Sequence, residues 1–327
     1  MINKVVITTS MKQLYFLFFL TFSSLSAQDF TAVDAKIKTY PKIITADKLA
    51  NKITADFNSD EEKVRAVFSW LAFNIRYDLE EFYNPSQKKI GFRYRTEDEK
   101  KAKIKAIKKA IVTKTLSSRS AVCEGYAQTF SKTCSLLNIE NEVIKGHVRN
   151  SSSDIGKVNN RTNHAWNAVK LNNKWIYIDA TWAAGSVTYG KWQRNFNNYY
   201  YNIPKEKYFF THFPEDVLWQ LRVKRMSLKE YFNQPIYSSY FLKNDYEVVT
   251  PTSGIVYRKS NEPVSFTLKN VKSNQSIYCG FRNSKYAKKP KVTFNNNTAT
   301  ISIIPPANSN EIYLIIDKEV VLEYLLN

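Results

Sequence analysis

Apolar residues recur at helical spacing through the first part of this chain and at strand spacing through much of the rest. Behind Asp60-Glu61-Glu62, the residues Val64, Val67, Phe68, Leu71 and Ile75 fall every three or four positions. With Ser59 or Asp60 as cap and acids in the first turn, that pattern predicts an amphipathic helix ending near 76–78. Thr96-Glu97-Asp98-Glu99 has the spacing of a capping box and opens a second helix with Ile104, Ile107 and Ile111 as its stripe. A third helix fits residues 123–137. Residues 28–60 show no strong period, and residues 82–95, with Pro85 and Gly91, read as a loop.

Residues 139–148 then predict a strand, followed by a polar loop over 151–162. Two further apolar runs flank Asn172-Asn173. If that dipeptide forms the turn of a hairpin, Trp166 faces Asp179 and His164 faces Thr181. His164 and Asp179 become diagonal neighbours on one face of the sheet. Val169, Leu171, Ile176 and Ile178 take the opposite face, suited to a core. Residues 183–245 are aromatic-rich and irregular, with a short helix over 217–223. Beyond 244 the character changes to β-type runs at 246–249, 264–268, 292–294, 298–304 and 312–315, separated by Pro, Gly, Asn and Ser. That spacing predicts a small antiparallel sandwich. The expected organisation is a leader over 1–27, a main domain over 28–244 and a β-sandwich over 245–327.

The leader rests on Lys12, the apolar run Leu14-Tyr15-Phe16-Leu17-Phe18-Phe19-Leu20 and the small residues ending at Ser26-Ala27. Together they have the layout of a secretory signal cut before Gln28. No later run approaches the roughly 20 apolar residues of a membrane span, so an exported, periplasmic or extracellular protein that does not span a membrane is expected. Formal charge is +19, and loss of Lys4 and Lys12 with the leader leaves 19 − 2 = +17. An anionic cell-envelope polymer is therefore a conceivable partner. No helix-turn-helix, RNP-like or zinc-finger pattern accompanies the lysines, so specific nucleic-acid binding is not indicated.

Three cysteines cannot all pair with one another, which leaves one thiol over in an exported chain. Cys134 suits a small buried hydrophobe, and a Cys134–Cys279 bridge would need the two domains in contact. Cys123 is different, because it opens a helix, where unpaired backbone N–H groups and the helix dipole favour a thiolate. Gly125 keeps that first turn slim, leaving room for a substrate backbone. With His164 and Asp179 in one hairpin, the chain offers a thiol nucleophile, a base and a group to orient the base. No cofactor is implied. The cysteines and histidines lack the short ligand pairs of zinc sites, and no acidic loop suits calcium.

The segments Ala121-Val122-Cys123-Glu124-Gly125-Tyr126-Ala127, Asn163-His164-Ala165-Trp166-Asn167-Ala168-Val169 and Trp175-Ile176-Tyr177-Ile178-Asp179-Ala180-Thr181-Trp182 resemble, in wording and order, the transglutaminase-like superfamily. Within it they are most similar to the bacterial proteins akin to kyphoscoliosis peptidase. The resemblance runs from about residue 63 to about residue 234. It implies an α+β, papain-like core in which a helical N-terminal part, including the nucleophile helix, packs on an antiparallel sheet. It also implies a cysteine acyl-transfer enzyme with Cys123, His164 and Asp179 as triad, acting on amide bonds of a protein or peptide as protease, amidase or cross-linker.

The Cys123 backbone N–H would supply one oxyanion contact. Papain-type enzymes place a glutamine six residues before the nucleophile, where this chain has Ser117, so Gln87 is the remaining glutamine candidate. Trp166 and Trp182 are candidate cleft walls. His212, in Thr-His-Phe-Pro, is either part of the cleft or a structural histidine. Two other functions stay open at this point: a non-catalytic envelope scaffold on the same fold, and a peptide N-glycanase-like amidase.

Overall fold

The acids after Ser59 act as the capping rules require. The Ser59 hydroxyl accepts from the Glu62 N–H, and the Glu62 carboxylate accepts from the Ser59 N–H, a box whose loss costs about 0.5–2 kcal/mol. In the computed structural model, which describes residues 29–85 and 92–327, this helix is the third along the chain. The helices are α1 (Thr31–Lys38), α2 (Ala46–Asp56), α3 (Asp60–Asn74), α4 (Leu79–Tyr83), α5 (Glu97–Ser118) and α6 (Cys123–Leu136). Two short strands, β1 (Arg76–Tyr77) and β2 (Ser120–Ala121), pair in parallel between them. The leader-like stretch and Gln87 lie outside the described residues. No helix among the described residues is long and apolar enough to cross a membrane.

Helices α1 and α2 correct the expectation of no regular structure before residue 60. Their signals are short rather than absent. Thr45 caps α2 by accepting from the Lys48 N–H, and Leu49 and Ile53, one turn apart, are buried. The helix after Ser59 is also more enclosed than an amphipathic pattern implies, because every residue from Val64 to Ala72 is buried. Among them is Arg65, whose guanidinium donates to Asp34 at 2.8 and 2.6 Å and to Asn198. It sits over the rings of Phe30, Phe68, Phe196 and Tyr201 at 4.8–5.5 Å. A buried cation persists only when paired and hydrogen-bonded, and this one is surrounded by π faces as well.

The hairpin of β4 (His164–Leu171) and β5 (Lys174–Ile178) turns at Asn172 and Asn173, both in the left-handed region, as a type I′ turn demands. Asn167 opposes Ile178 and Val169 opposes Ile176, the register expected from the sequence. Strand β3 (Asn141–Val148) pairs with β4 on one side. On its other side it pairs with β8 (His212–Pro214), reached after α7 (Ala180–Ala184), the β6 (Gly185–Thr188) and β7 (Lys191–Arg194) hairpin, and α8 (Lys205–Thr211). The antiparallel sheet runs in the order β5-β4-β3-β8. Helix α6 lies on it, with the Asn167 side-chain amide donating to the Ala127 carbonyl. This is the α+β architecture expected. The 217–223 helix is instead a 3-10 turn over Val217–Gln220.

A first core of buried residues runs from Val33 to Phe232, and a second from Tyr237 to Leu326. Around the second, β9 (Ile236–Tyr237), β10 (Glu247–Thr250), β11 (Ile255–Val256), β12 (Val264–Lys269), β13 (Ile277–Phe281), β14 (Lys291–Asn295), β15 (Thr298–Ile303), β16 (Glu311–Ile316) and β17 (Glu319–Leu326) form two sheets, β10-β12-β15-β14 and β11-β17-β16-β13, with β9 added to β17. Tyr237, Phe241 and Leu242 already belong to this core, so it begins before the composition shift at 244. The cores also touch: the Ser152 N–H donates to Glu323 at 2.9 Å and its hydroxyl to Glu311 at 2.8 Å.

Candidate active site

Strand β2 carries the chain into α6, whose first residue is Cys123 and whose cap, Val122, offers no side-chain acceptor. No side chain therefore caps the first turn, whose Gly125 N–H is taken by the Val122 carbonyl at 2.9 Å. Cys123 is half-buried, whereas Cys134 and Cys279 are fully enclosed, and all three thiols are free. Cys134 belongs to the first core and Cys279 to the second, so the bridge left open by the sequence does not form. The room at Gly125 goes to the protein itself. A Cβ there would come within 2.5 Å of Ala121 Cβ and Thr115 Oγ1, so the glycine lets α5 and β2 close on α6 rather than admitting a substrate.

His164 begins β4, and its Nε2 lies 2.7 Å from Asp179 Oδ2. The second ring nitrogen, Nδ1, is thus the one not engaged by Asp179, and the Cys123 thiol helps to favour the protonated ring. Asp179 lies one residue past the end of β5 rather than on the strand, as the cap of α7. Its Oδ1 accepts the Thr181 N–H at 2.8 Å and the Trp182 N–H at 3.0 Å. Its own N–H donates to the Tyr200 carbonyl at 2.9 Å. A carboxylate with no solvent exposure needs every acceptor position filled, and this one has them filled.

The fourth partner of the Asp179 carboxylate is His212, at 3.1 Å from Oδ2. Burial lowers the His212 pKa, against the pull of the Asp179 hydrogen bond and with the help of the His164 charge. A neutral ring that donates from Nε2 to Asp179 must accept at Nδ1, where the Thr211 hydroxyl lies 2.8 Å away. At His164 burial likewise opposes protonation, but the Asp179 charge and hydrogen bond, with the Cys123 thiol, outweigh it and raise the imidazole to about 10. For Asp179 itself burial works against ionisation, and the charge and hydrogen bonds of His164 and His212 override it, holding the carboxyl below its usual range.

His164, Asp179 and His212 also have the residue types of a metal site, with their ligand atoms within 4.8 Å of one another. The spacing argues otherwise. Two ligands on one tetrahedral zinc at about 2.0–2.1 Å stand roughly 3.3 Å apart, wider than the 2.7 Å between His164 and Asp179. These are hydrogen bonds between the ligand atoms themselves.

His164 opens onto a cleft of about 510 Å³. Tyr77, Phe82 and Tyr83, from β1 and α4, form one side, and Trp182, Val187 and Trp192, from α7 and the β6-β7 hairpin, form the other. Asn150, Asn163, Asn195 and Asn197 supply polar groups. Trp182 lines this cleft. Trp166 and His212 do not, which corrects their assignment to the cleft. Trp166 is buried beneath His164, ring centroids 5.9 Å apart, and donates its N–H to the Tyr208 hydroxyl at 2.9 Å. His212 is buried behind Asp179. The non-catalytic face of the hairpin is thus matched by a second buried layer, not by an open one. Ser117 points away, bonding to the Lys114 carbonyl.

Sequence reasoning missed Tyr77. It lies opposite Ala121 in the β1–β2 pair, two residues before the nucleophile, and senses the charges of Cys123 and Asp179. Only the parallel pairing of two dipeptides more than forty residues apart puts it there, and no local pattern announces that pairing. Tyr200 and the cleft asparagines were missed for the same reason.

Residues 47–180, which contain Cys123, His164 and Asp179, match the pattern of the Transglutaminase-like superfamily. These residues belong to the transglutaminase-like superfamily. Kyphoscoliosis peptidase from Mus musculus is 25% identical over 226 residues, 68% of this chain and 31% of that protein. Kyphoscoliosis peptidase from Homo sapiens is 25% identical over 254 residues, 76% of this chain and 35% of that protein. The chain spans about a third of the length of these curated relatives. A solved structure described as a TGase is 21% identical, covering 54% of this chain and 37% of that one, with a TM-score of 0.28. The transglutaminase-like match ends at Ala180, so β8 and His212 lie beyond it.

Proposed function

We propose that this chain is a cysteine acyl-transfer enzyme acting on amide bonds of proteins or peptides. The observation that carries the reading is the placement of His164, which borders a cleft while its Nε2 is held by buried Asp179 and its imidazole is coupled to the Cys123 thiol. His164 Nδ1 takes the thiol proton, and the thiolate attacks the amide carbonyl. Asp179 supports the imidazolium that results. The tetrahedral oxygen is met by the Cys123 backbone N–H. Collapse of the intermediate expels the amine, which leaves with the proton from His164, and a thioester remains on Cys123. Water or a second amine, deprotonated by His164, then releases the acyl group. The apolar side walls suit an acyl donor with a large apolar side chain near the scissile bond, and the asparagines suit its peptide groups. The apolar run before Ala27 supports export of the enzyme.

The test is labelling with a peptide-like electrophile, such as a peptidyl vinyl sulfone, followed by mass mapping of the adduct. Modification at Cys123, abolished in His164→Ala, is expected. Labelling that is absent, or that ignores His164, would replace the enzyme by a non-catalytic scaffold on the same fold.

A further inference from the structure

The predicted stripe of α5 is only partly covered. Ile104 is exposed, and Ile107 and Ile111 are half-buried. Full burial begins at Val112 and Leu116. Along one flank this leaves a groove of about 820 Å³ between α5, the start of α2 and the outer face of α6. Its apolar residues are Ile44, Ile104, Val112 and Leu116, and five exposed lysines edge it: Lys101, Lys105, Lys108 and Lys109 from α5, and Lys132 from α6. Among the described residues only Lys101 of the five has a carboxylate within ion-pair range, Asp98 at 4.0 Å. Asp47 is the sole acid along the groove.

The basic character is local and not a mere reflection of the overall charge. The depression on the other flank of α5, which Ile104 and Lys108 also border, carries four acids, Glu124, Glu142, Glu215 and Asp216, against two lysines, Lys108 and Lys145. Lysines at 101, 105, 108 and 109 share one helix face and span about 12 Å, at 1.5 Å per residue.

We infer that this groove docks an acidic, amphipathic peptide segment of a partner protein. Its carboxylates would meet the lysine rim, and its apolar side chains would cover Ile44 and Ile104, the helix-in-groove arrangement of an amphipathic ligand. The apolar floor decides the class. A sulfated or uronic polysaccharide satisfies the lysines but brings no aliphatic side chains, leaving Ile44 and Ile104 in water. The aliphatic stems of the lysines extend the same apolar surface.

The inference is independent of catalysis and is tested by binding to the full chain. The probe is a fluorescein-labelled peptide of about 15 residues, long enough to form a helix once bound, with Leu at helical spacing and Glu between. Its controls are the same composition scrambled to remove the apolar face, and heparin. Fluorescence anisotropy should show the amphipathic peptide binding at least tenfold more tightly than the scrambled one. Lys105→Glu with Lys109→Glu should weaken it at least tenfold, and Ile104→Ser several-fold while leaving heparin binding unchanged. If the double variant melts abnormally, Lys105→Gln with Lys109→Gln carries the same test. No binding of the amphipathic peptide, or undiminished binding to the lysine variants, overturns the inference. So does equal affinity for the scrambled peptide with no effect of Ile104→Ser, which would mark a general polyanion surface.

Discussion

Helix α6 carries two thiols eleven residues apart in one sequence, Cys123 and Cys134, and their surroundings have little in common. Cys123 sits at the start of the helix, half-buried and coupled to an imidazole that is itself held by a buried carboxylate. Cys134 sits three turns further on in the first core, where burial alone pushes its thiol far above the ordinary range. Cys279 in the second core is likewise pushed up by burial, to about 12. The difference is one of place, not of residue type: the helix start provides N–H groups and reach to a base, and the helix end provides only packing.

The comparison breaks most directly at the base. Cys123→Ala or His164→Ala should abolish labelling by the peptidyl electrophile, and Asp179→Asn should slow it by about four orders of magnitude, as for a triad whose base loses its supporting charge. The substitution should also reach the fold, because the fully buried carboxylate accepts from His164, His212, Thr181 and Trp182. An amide nitrogen in place of Oδ2 would face two ring nitrogens, so a fall in melting temperature should accompany the fall in rate.

Next in size is the contrast in reactivity itself. In the folded protein iodoacetamide should modify Cys123 at least ~100-fold faster than Cys134 or Cys279, since the buried thiols react only through opening of their cores. Peptide mapping after timed quenching measures the ratio, and similar rates at all three would erase the distinction between the two ends of α6. Cys134→Ser then sharpens it from the other side. A hydroxyl in the core should lower stability by about 1–3 kcal/mol, read by urea unfolding, while the labelling rate at Cys123 stays as it was.

The smallest effect concerns protons. His212 has its pKa lowered by burial, so the unfolded chain binds more protons once pH falls below about 6.5, and stability should decline there. His147, also lowered by burial, acts in the same window. Asp179, lowered by its imidazole partners, gives stability that is present above the usual carboxyl range and lost only in strong acid. His164 has the opposite sign: its raised value gives stability that is complete below about 6.5 and lost as pH rises through about 10. In His212→Gln, which keeps a donor toward Asp179 but does not titrate, the decline in melting temperature from pH 7 to 5.5 should become shallower and the alkaline decline should remain.

Much of this arrangement was legible in the residues. The Asn172-Asn173 turn determines the hairpin register, and the register alone brings His164 near Asp179. Ser59 and Thr96 announce the helices they cap. What was not legible depends on partners distant in the chain. Nothing local to Thr211-His212 shows that β8 will pair with β3 and put His212 on Asp179. Nor does the alternation in β4 reveal that Trp166 is roofed by Tyr208 from α8 rather than open to a cleft. The α5 stripe misled in a different way, because helical periodicity marks a face that can be buried without saying how much of it this chain itself covers.

The hydrogen-bond arrangement around Asp179 has a consequence for biosynthesis. Its partners come from residues 164, 181, 182 and 212, and the residue they serve is at 123. Contacts of such sequence separation close late, after local helices have formed. A chain still emerging from the ribosome therefore carries a complete α6, and its cysteine, well before the base is fixed beside it. The last partner of the Asp179 carboxylate, His212, arrives with the docking of β8, so under the proposed mechanism the surroundings of the base are completed only once most of the first core is in place.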